Sequence, residues 1–248
     1  MPPDRAPAVP TVGLIVPPAH GRVPVHGPEL FGGSLRFIAS GLGLRAMSIE
    51  GYESVISRVG ELASRLAGRG ADGIVLMGTS LSFYKGAAFD QGLVQTMEEA
   101  SARPATTMTQ AIVAALQAVG GERVAVATAY TSEVNERLCR YLDSVEVTVA
   151  SVEGIGVVDT GAAQTIPVDD VREVADRAMQ SAQEADTDVD ALLISCGALD
   201  TLGLVPELEE RHGVPVVASS PAGFWAAARL VGVDPRVTGR GTLFTRPG

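Results

Sequence analysis

The feature that most restricts what this chain can fold into is an internal repeat. Residues 72–80, DGIVLMGTS, align without gaps on residues 190–198, DALLISCGA. Residues 12–18, VGLIVPP, match residues 124–130, VAVATAY, and residues 104–107, PATT, match residues 215–218, PVVA. Any one match is weak, because short apolar strands resemble one another by chance. The three occur in the same order at nearly the same spacing, so they describe one unit written twice. Within each unit, short apolar runs alternate with longer amphipathic stretches, the pattern of βαβ units around a parallel sheet. Strands are predicted at 12–16, 73–77, 105–107, 124–128, 145–150, 191–195 and 214–218. Helices are predicted at 51–69, 88–102, 109–119, 132–142, 168–185, 200–212 and 221–230, the last with Ser219 and Ser220 as a hydroxyl cap ahead of Pro221. Runs 74–76 and 192–194 are apolar on both faces, as buried parallel strands are.

The fold class that follows is α/β. Two pseudo-twofold-related, Rossmann-like lobes are expected, each a short parallel sheet flanked by helices, with the active site in the cleft between them. The expected N-terminal lobe is residues 8–119 plus about 222–248, and the C-terminal lobe is residues 120–221. Aromatic residues make up only 4%, so the core must come from Val, Leu, Ile and Ala. Residues 1–10, MPPDRAPAVP, have no cationic segment followed by an apolar one and read as a Pro-rich tail, not a secretory signal. No apolar run approaches the roughly 18 residues of a membrane helix. A net charge of −10 leaves no basic stripe for a nucleic acid. The profile, 46% hydrophobic and 19% charged, is that of a cytoplasmic protein, and with no apolar stripe a monomer is expected.

Ligands of parallel sheets bind outside the carboxyl ends of the strands. The repeat therefore points at Gly78, Thr79 and Ser80 after one strand and at Cys196, Gly197 and Ala198 after its counterpart, with Gly78 the positional twin of Cys196. Cys196 at a strand exit before a glycine is either a catalytic thiol or a buried structural one. Thr79 and Ser80 offer hydroxyls to an anion or cap a helix, and Tyr130 adds a phenolic donor or packs. Together they would make a nest of neutral donors.

Other chemistries fit less well. Gly41/Gly43 and Gly154/Gly156 lack the third glycine of a dinucleotide loop. Two cysteines, Cys139 and Cys196, cannot build a four-thiolate metal site, and no metal is expected. A Ser-His-Asp triad would have to recruit His20, His26 or His212, and His212 at a helix end suits a cap or dipole role. Lys85, between Tyr84 and Gly86, reads as solvent-facing.

At several of these residues the chain resembles the arylmalonate decarboxylase family, within the aspartate/glutamate/hydantoin racemase superfamily. The likeness is carried by residues 13–18 (GLIVPP), 37–44 (FIASGLGL), 51–52 (GY), 77–84 (MGTSLSFY), 127–130 (ATAY), 134–137 (VNER), 195–197 (SCG) and 219–225 (SSPAGFW), spread from about 11 to 230. It implies a two-lobed fold and decarboxylation of α-aryl-α-methylmalonates with enantioselective protonation, without metal, biotin or coenzyme A. It further implies Cys196 as proton donor and a dioxyanion hole of Thr79, Ser80, Tyr130, Cys196 and Gly197 for the retained carboxylate. Pro17 and Pro18 would shape the floor, Met77 and Gly78 would border the site, and Leu44, Met47, Tyr52 and Val157 would line an apolar pocket for the departing carboxylate. Racemases and maleate isomerases of the superfamily carry cysteines at both twin strand ends. Here the twin is Gly78, which favours one-sided protonation over racemase or isomerase chemistry. A non-catalytic small-acid binding protein is the alternative outside enzymes. The chain departs from the family at Ala198, where a second glycine is expected, and at Arg45 and Met47, which replace smaller residues.

Overall fold

A computed structural model describes residues 9–246. Most of the Pro-rich tail, residue 8 of the expected first lobe and its residues 247–248 lie outside the described residues.

Among the described residues, eight strands form two all-parallel sheets. β1 (Thr11–Val16), β2 (Arg36–Gly41), β3 (Gly73–Leu76) and β4 (Ala105–Thr107) lie in the order β2-β1-β3-β4. β5 (Arg123–Thr128), β6 (Thr148–Gly154), β7 (Ala191–Ser195) and β8 (Val216–Ala218) repeat it as β6-β5-β7-β8. The register repeats as well. Val12 faces Gly73 as Val124 faces Ala191, and Ile74 faces Ala105 as Leu192 faces Val216. Even the clasp before each central strand recurs. The Thr11 amide donates to Asp72 Oδ2 at 2.9 Å, and the Arg123 amide to Asp190 Oδ2 at 2.8 Å. The chain is therefore two copies of one sheet, as the sequence repeat predicts.

β1, β3 and β7 are buried along their whole length, which a strand between two neighbours and two helical layers must be. Helix Val59–Gly68 packs closely on β1, because a Cβ on Gly13 would come within 2.9 Å of Leu66 Cβ. Helices Met108–Val119 and Ser219–Leu230 are repeat mates, and they pack against each other to form the seam between the two sheets.

Several expectations shift. β2 is not predicted, because RFIASG at a sheet edge mixes exposed and half-buried positions and has no apolar run. β6 begins later than the predicted 145–150, since helix Ser132–Ser144 runs further and the chain turns at Glu146, φ 63°. The predicted helix 51–69 is divided into Ile49–Val55, a 3₁₀ turn Ile56–Arg58 and Val59–Gly68. Helix 200–212 starts only at Leu204, leaving Asp200 in the loop ahead of it. Helices His26–Phe31, Thr79–Phe83 and Thr160–Ala163 are too short to show a period in sequence. Ser219 and Ser220 do not cap their helix. The cap position is Ala218, so both hydroxyls lie inside the first turn and bond elsewhere.

Candidate active site

The carboxyl ends of both sheets open onto one cleft of about 450 Å³. β3 leaves through Met77 and Gly78 into helix Thr79–Phe83, and β7 leaves through Cys196 and Gly197. Thr79, Ser80, Tyr130, Cys196 and Gly197 all line this cleft. So do Pro17, Pro18, Leu44, Met47, Met77 and Gly78. The Pro17 carbonyl accepts the amides of Gly43 and Leu44, at 3.0 and 2.8 Å, and so couples the floor to the apolar wall.

Two of the expected pocket residues stand elsewhere. Tyr52 is fully buried behind the wall, its ring 5.2 Å from that of Tyr84. Its hydroxyl faces Ser80 and Cys196 but makes no hydrogen bond of proper geometry. Val157 is not among the residues that line the cleft, and its amide donates to the Ala129 carbonyl at 2.8 Å. Its loop reaches the cleft one turn later, at Thr160 and Gln164. Here it crosses between lobes: Met47 N–H donates to the Val158 carbonyl at 2.7 Å and Thr160 N–H to the Arg45 carbonyl at 3.1 Å.

Cys196 is a free thiol, 5% exposed, with a backbone φ of 152°. Burial pushes the thiol up to about 11, opposed by the Ala198 amide, the Tyr130 hydroxyl and the Leu199 amide. The sulfur is therefore held protonated at neutral pH and is equipped as an acid rather than as a nucleophile. Burial also raises the Tyr130 phenol well above its ordinary value, further raised by Cys196 and Tyr52, while Ser195 and Thr79 oppose the shift. Tyr130 thus remains an O–H donor. Ser219 ties the two strand ends together. Its buried Oγ accepts from the Thr79 hydroxyl and from the Cys196 amide, each at 3.2 Å.

Sequence reasoning assigns Ser219 only a capping role, and it misses the segment from His20 to His26 that covers one side of the cleft. Within that segment His26 sits between Ser220 Oγ at 2.9 Å and Asp200 Oδ1 at 3.1 Å. The three have triad-like contacts, but Pro221 follows Ser220 and supplies no N–H for an oxyanion. They act as a strut holding the cover to the second lobe. The remaining candidates lie outside the cleft. His212 Nε2 meets Asp176 Oδ1 at 2.8 Å, Lys85 pairs with Glu53 at 2.9 Å, and Cys139 is a second free thiol, on helix Ser132–Ser144. A larger, more open groove of about 710 Å³ lies between the seam helices and residues 232–236, and it holds no thiol.

A family model described as arylmalonate decarboxylase matches residues 12–244. The chain belongs to the arylmalonate decarboxylase family. Among curated relatives, an arylmalonate decarboxylase of Bordetella bronchiseptica is 46% identical over 238 residues, covering 96% of this chain and 97% of that protein. A crystal structure of arylmalonate decarboxylase superposes with a TM-score of 0.85 at 46% identity, over 95% of this chain and 99% of that one. A liganded mutant structure of arylmalonate decarboxylase reaches a TM-score of 0.91 at 45% identity, over 95% and 98% of the two chains. The maleate cis-trans isomerase of Nocardia farcinica shares the fold, with a TM-score of 0.84 at 22% identity over 95% and 98%. This chain has a sulfur at one strand end of the cleft and a glycine at its twin, 78.

Proposed function

We propose that this chain is a carboxy-lyase that removes one carboxyl from α-aryl (α-methyl) malonates and protonates the resulting carbanion on one face. The observation that carries the reading is the single buried thiol, Cys196, sharing one cleft with the hydroxyls of Thr79, Ser80 and Tyr130. The retained carboxylate sits among those hydroxyls and the Gly197 backbone. The departing carboxylate faces Leu44 and Met47 over the Pro17–Pro18 floor. An anion against apolar side chains is destabilised, and the loss of neutral CO2 relieves it. As the C–C bond breaks, its electron pair moves onto the retained carboxylate as an enediolate, where the donors stabilise it. The Cys196 S–H proton then adds to the α-carbon, and the thiolate recovers a proton from water. Because the second face meets Gly78, which carries no acid, one enantiomer results. The steps call on no cofactor, since the retained carboxylate takes up the electron pair and the neutral donors stabilise the enediolate it becomes.

Gly78 also weighs against a racemase, which needs an acid–base group on each face, and against an isomerase of the kind that carries a thiol at both twin strand ends. The substrate is a small dicarboxylate, with no nucleic-acid or membrane partner. The protein is read as a cytoplasmic monomer: its two cysteines stay free, as in a reducing compartment, and its exposed large apolar side chains are scattered valines.

The test is incubation of the purified protein with phenylmalonate and its α-methyl derivative in D2O. CO2 release with one deuterium in the product is expected. Saturable binding without CO2, or deuterium entering an unreacted chiral acid, would overturn the assignment.

A further inference from the structure

One residue of the cleft has no part in the chemistry above. Among the residues that line it, Arg22 is the only Lys or Arg, and Asp200 the only Asp or Glu. Asp200 is engaged by His26 Nε2. Arg22 is exposed, and among the described residues its guanidinium makes no ion pair or hydrogen bond. Its backbone amide donates to His20 Nδ1 at 3.0 Å, a two-residue turn that sets it in the segment covering the cleft.

The reaction makes this placement meaningful. The proposed substrate carries two negative charges, its organic product one, and the protein −10. A malonate dianion thus approaches against the field of the whole molecule. The donor nest and the apolar wall contain no cation to offset that repulsion.

We propose that Arg22 is the capture residue that draws the malonate dianion to the cleft. This rests on the decarboxylase reading and adds a role which that reading does not contain. A rim cation acts on association and its salt dependence rather than on the bond-breaking step. It also attracts a dianion more strongly than a monoanion, so it favours uptake of substrate over retention of product. Arg22 is a steering residue, and no proton or electron pair passes through it.

The experiment measures kcat and KM for phenylmalonate from low salt to about 1 M, where the screening length falls to about 3 Å. It compares the intact protein with Arg22→Lys, Arg22→Gln and Arg22→Glu. The guanidinium holds no partner among the described residues, so the fold should tolerate all three. At low salt kcat/KM is expected to fall about tenfold in Arg22→Gln and further in Arg22→Glu. Arg22→Lys should retain most of it, kcat should be constant throughout, and the differences should vanish at high salt. A fall in kcat at unchanged KM, or a loss independent of salt, would overturn the capture role. If all four proteins release CO2 with equal kcat/KM, only the Arg22 inference fails. If the intact protein releases no CO2 from any malonate, the decarboxylase reading fails and the capture role with it.

Discussion

The two strand ends that meet across the cleft are copies of one another, yet each holds the residue that the other's backbone would suit. Gly78 leaves β3 at φ −144° and ψ 96°, an extended conformation open to any amino acid. Cys196 leaves β7 at φ 152°, in the region that favours glycine. Backbone conformation alone would place glycine at 196 and leave the choice at 78 open. Strain of this kind costs about 1–3 kcal/mol and gathers at sites where geometry is held for chemistry. The repeat supplied two equivalent positions, and the thiol stands where the backbone is held against its preference. At the other position even a Cβ is crowded, since it would fall 2.6 Å from Leu81 Cδ1 and 3.2 Å from Pro17 Cγ.

The largest expected effect comes from erasing the difference at the sulfur. Cys196→Ala should lower decarboxylation of phenylmalonate by about 10²–10⁴-fold, the usual contribution of a positioned acid, followed by CO2 release. Turnover close to that of the unmodified protein would remove the thiol from the chemistry. The next effect comes from supplying the missing half. Gly78→Cys places a thiol on the opposite face once Leu81 shifts its flexible end. The enantiomeric purity of the 2-phenylpropionate formed from α-methyl-α-phenylmalonate, read by chiral chromatography, should then fall. Unchanged purity in a folded, active variant would mean that the twin positions do not face the same carbon. A milder test uses pH. The acid form of Cys196 does the work, and burial holds its pKa near 11, so kcat should persist through neutral pH and decline as pH rises through about 11. A decline centred near the ordinary thiol value of about 8.5 would show that burial is not felt at the sulfur.

Which parts were legible in the sequence follows from how locally each is determined. Residues 105–107 and 191–195 coincide with β4 and β7 because apolar runs between turn residues carry their own signal. The repeat extends into the pairing, where Val12 with Gly73 corresponds to Val124 with Ala191, but that register is set by the folded sheets and was not read from the sequence. β2 was not legible, because an edge strand such as Arg36–Gly41 is defined by its partner β1 and not by its own composition. Most of the candidate site could be assembled from strand ends and resemblance. Tyr52 and Val157 could not be placed, since a side chain's direction depends on the packing of neighbouring elements. His26 and Asp200 lie 174 residues apart, and no local pattern joins them. The Ser219 hydroxyl was misread because the helix begins at Ser219, two residues ahead of the predicted 221, which frees that hydroxyl to link Thr79 with Cys196.

The smallest expected effect isolates the backbone half of the contrast. Cys196→Ala and Cys196→Gly both remove the sulfur and its burial, so their difference reports the cost of a Cβ at φ 152°. In ordinary backbone glycine is the less stable of the two by about 0.5–1 kcal/mol, through the entropy of the unfolded chain. At position 196 the sign should reverse, with Cys196→Gly more stable than Cys196→Ala by about 1 kcal/mol in denaturant unfolding. Gly78→Ser at the extended twin is the control, and any change there should follow crowding against Leu81 rather than φ. If Cys196→Ala proved the more stable variant, the backbone would not be strained at the thiol. The two strand ends would then differ in chemistry alone, and the conformation at 196 would no longer mark it as the position held for function.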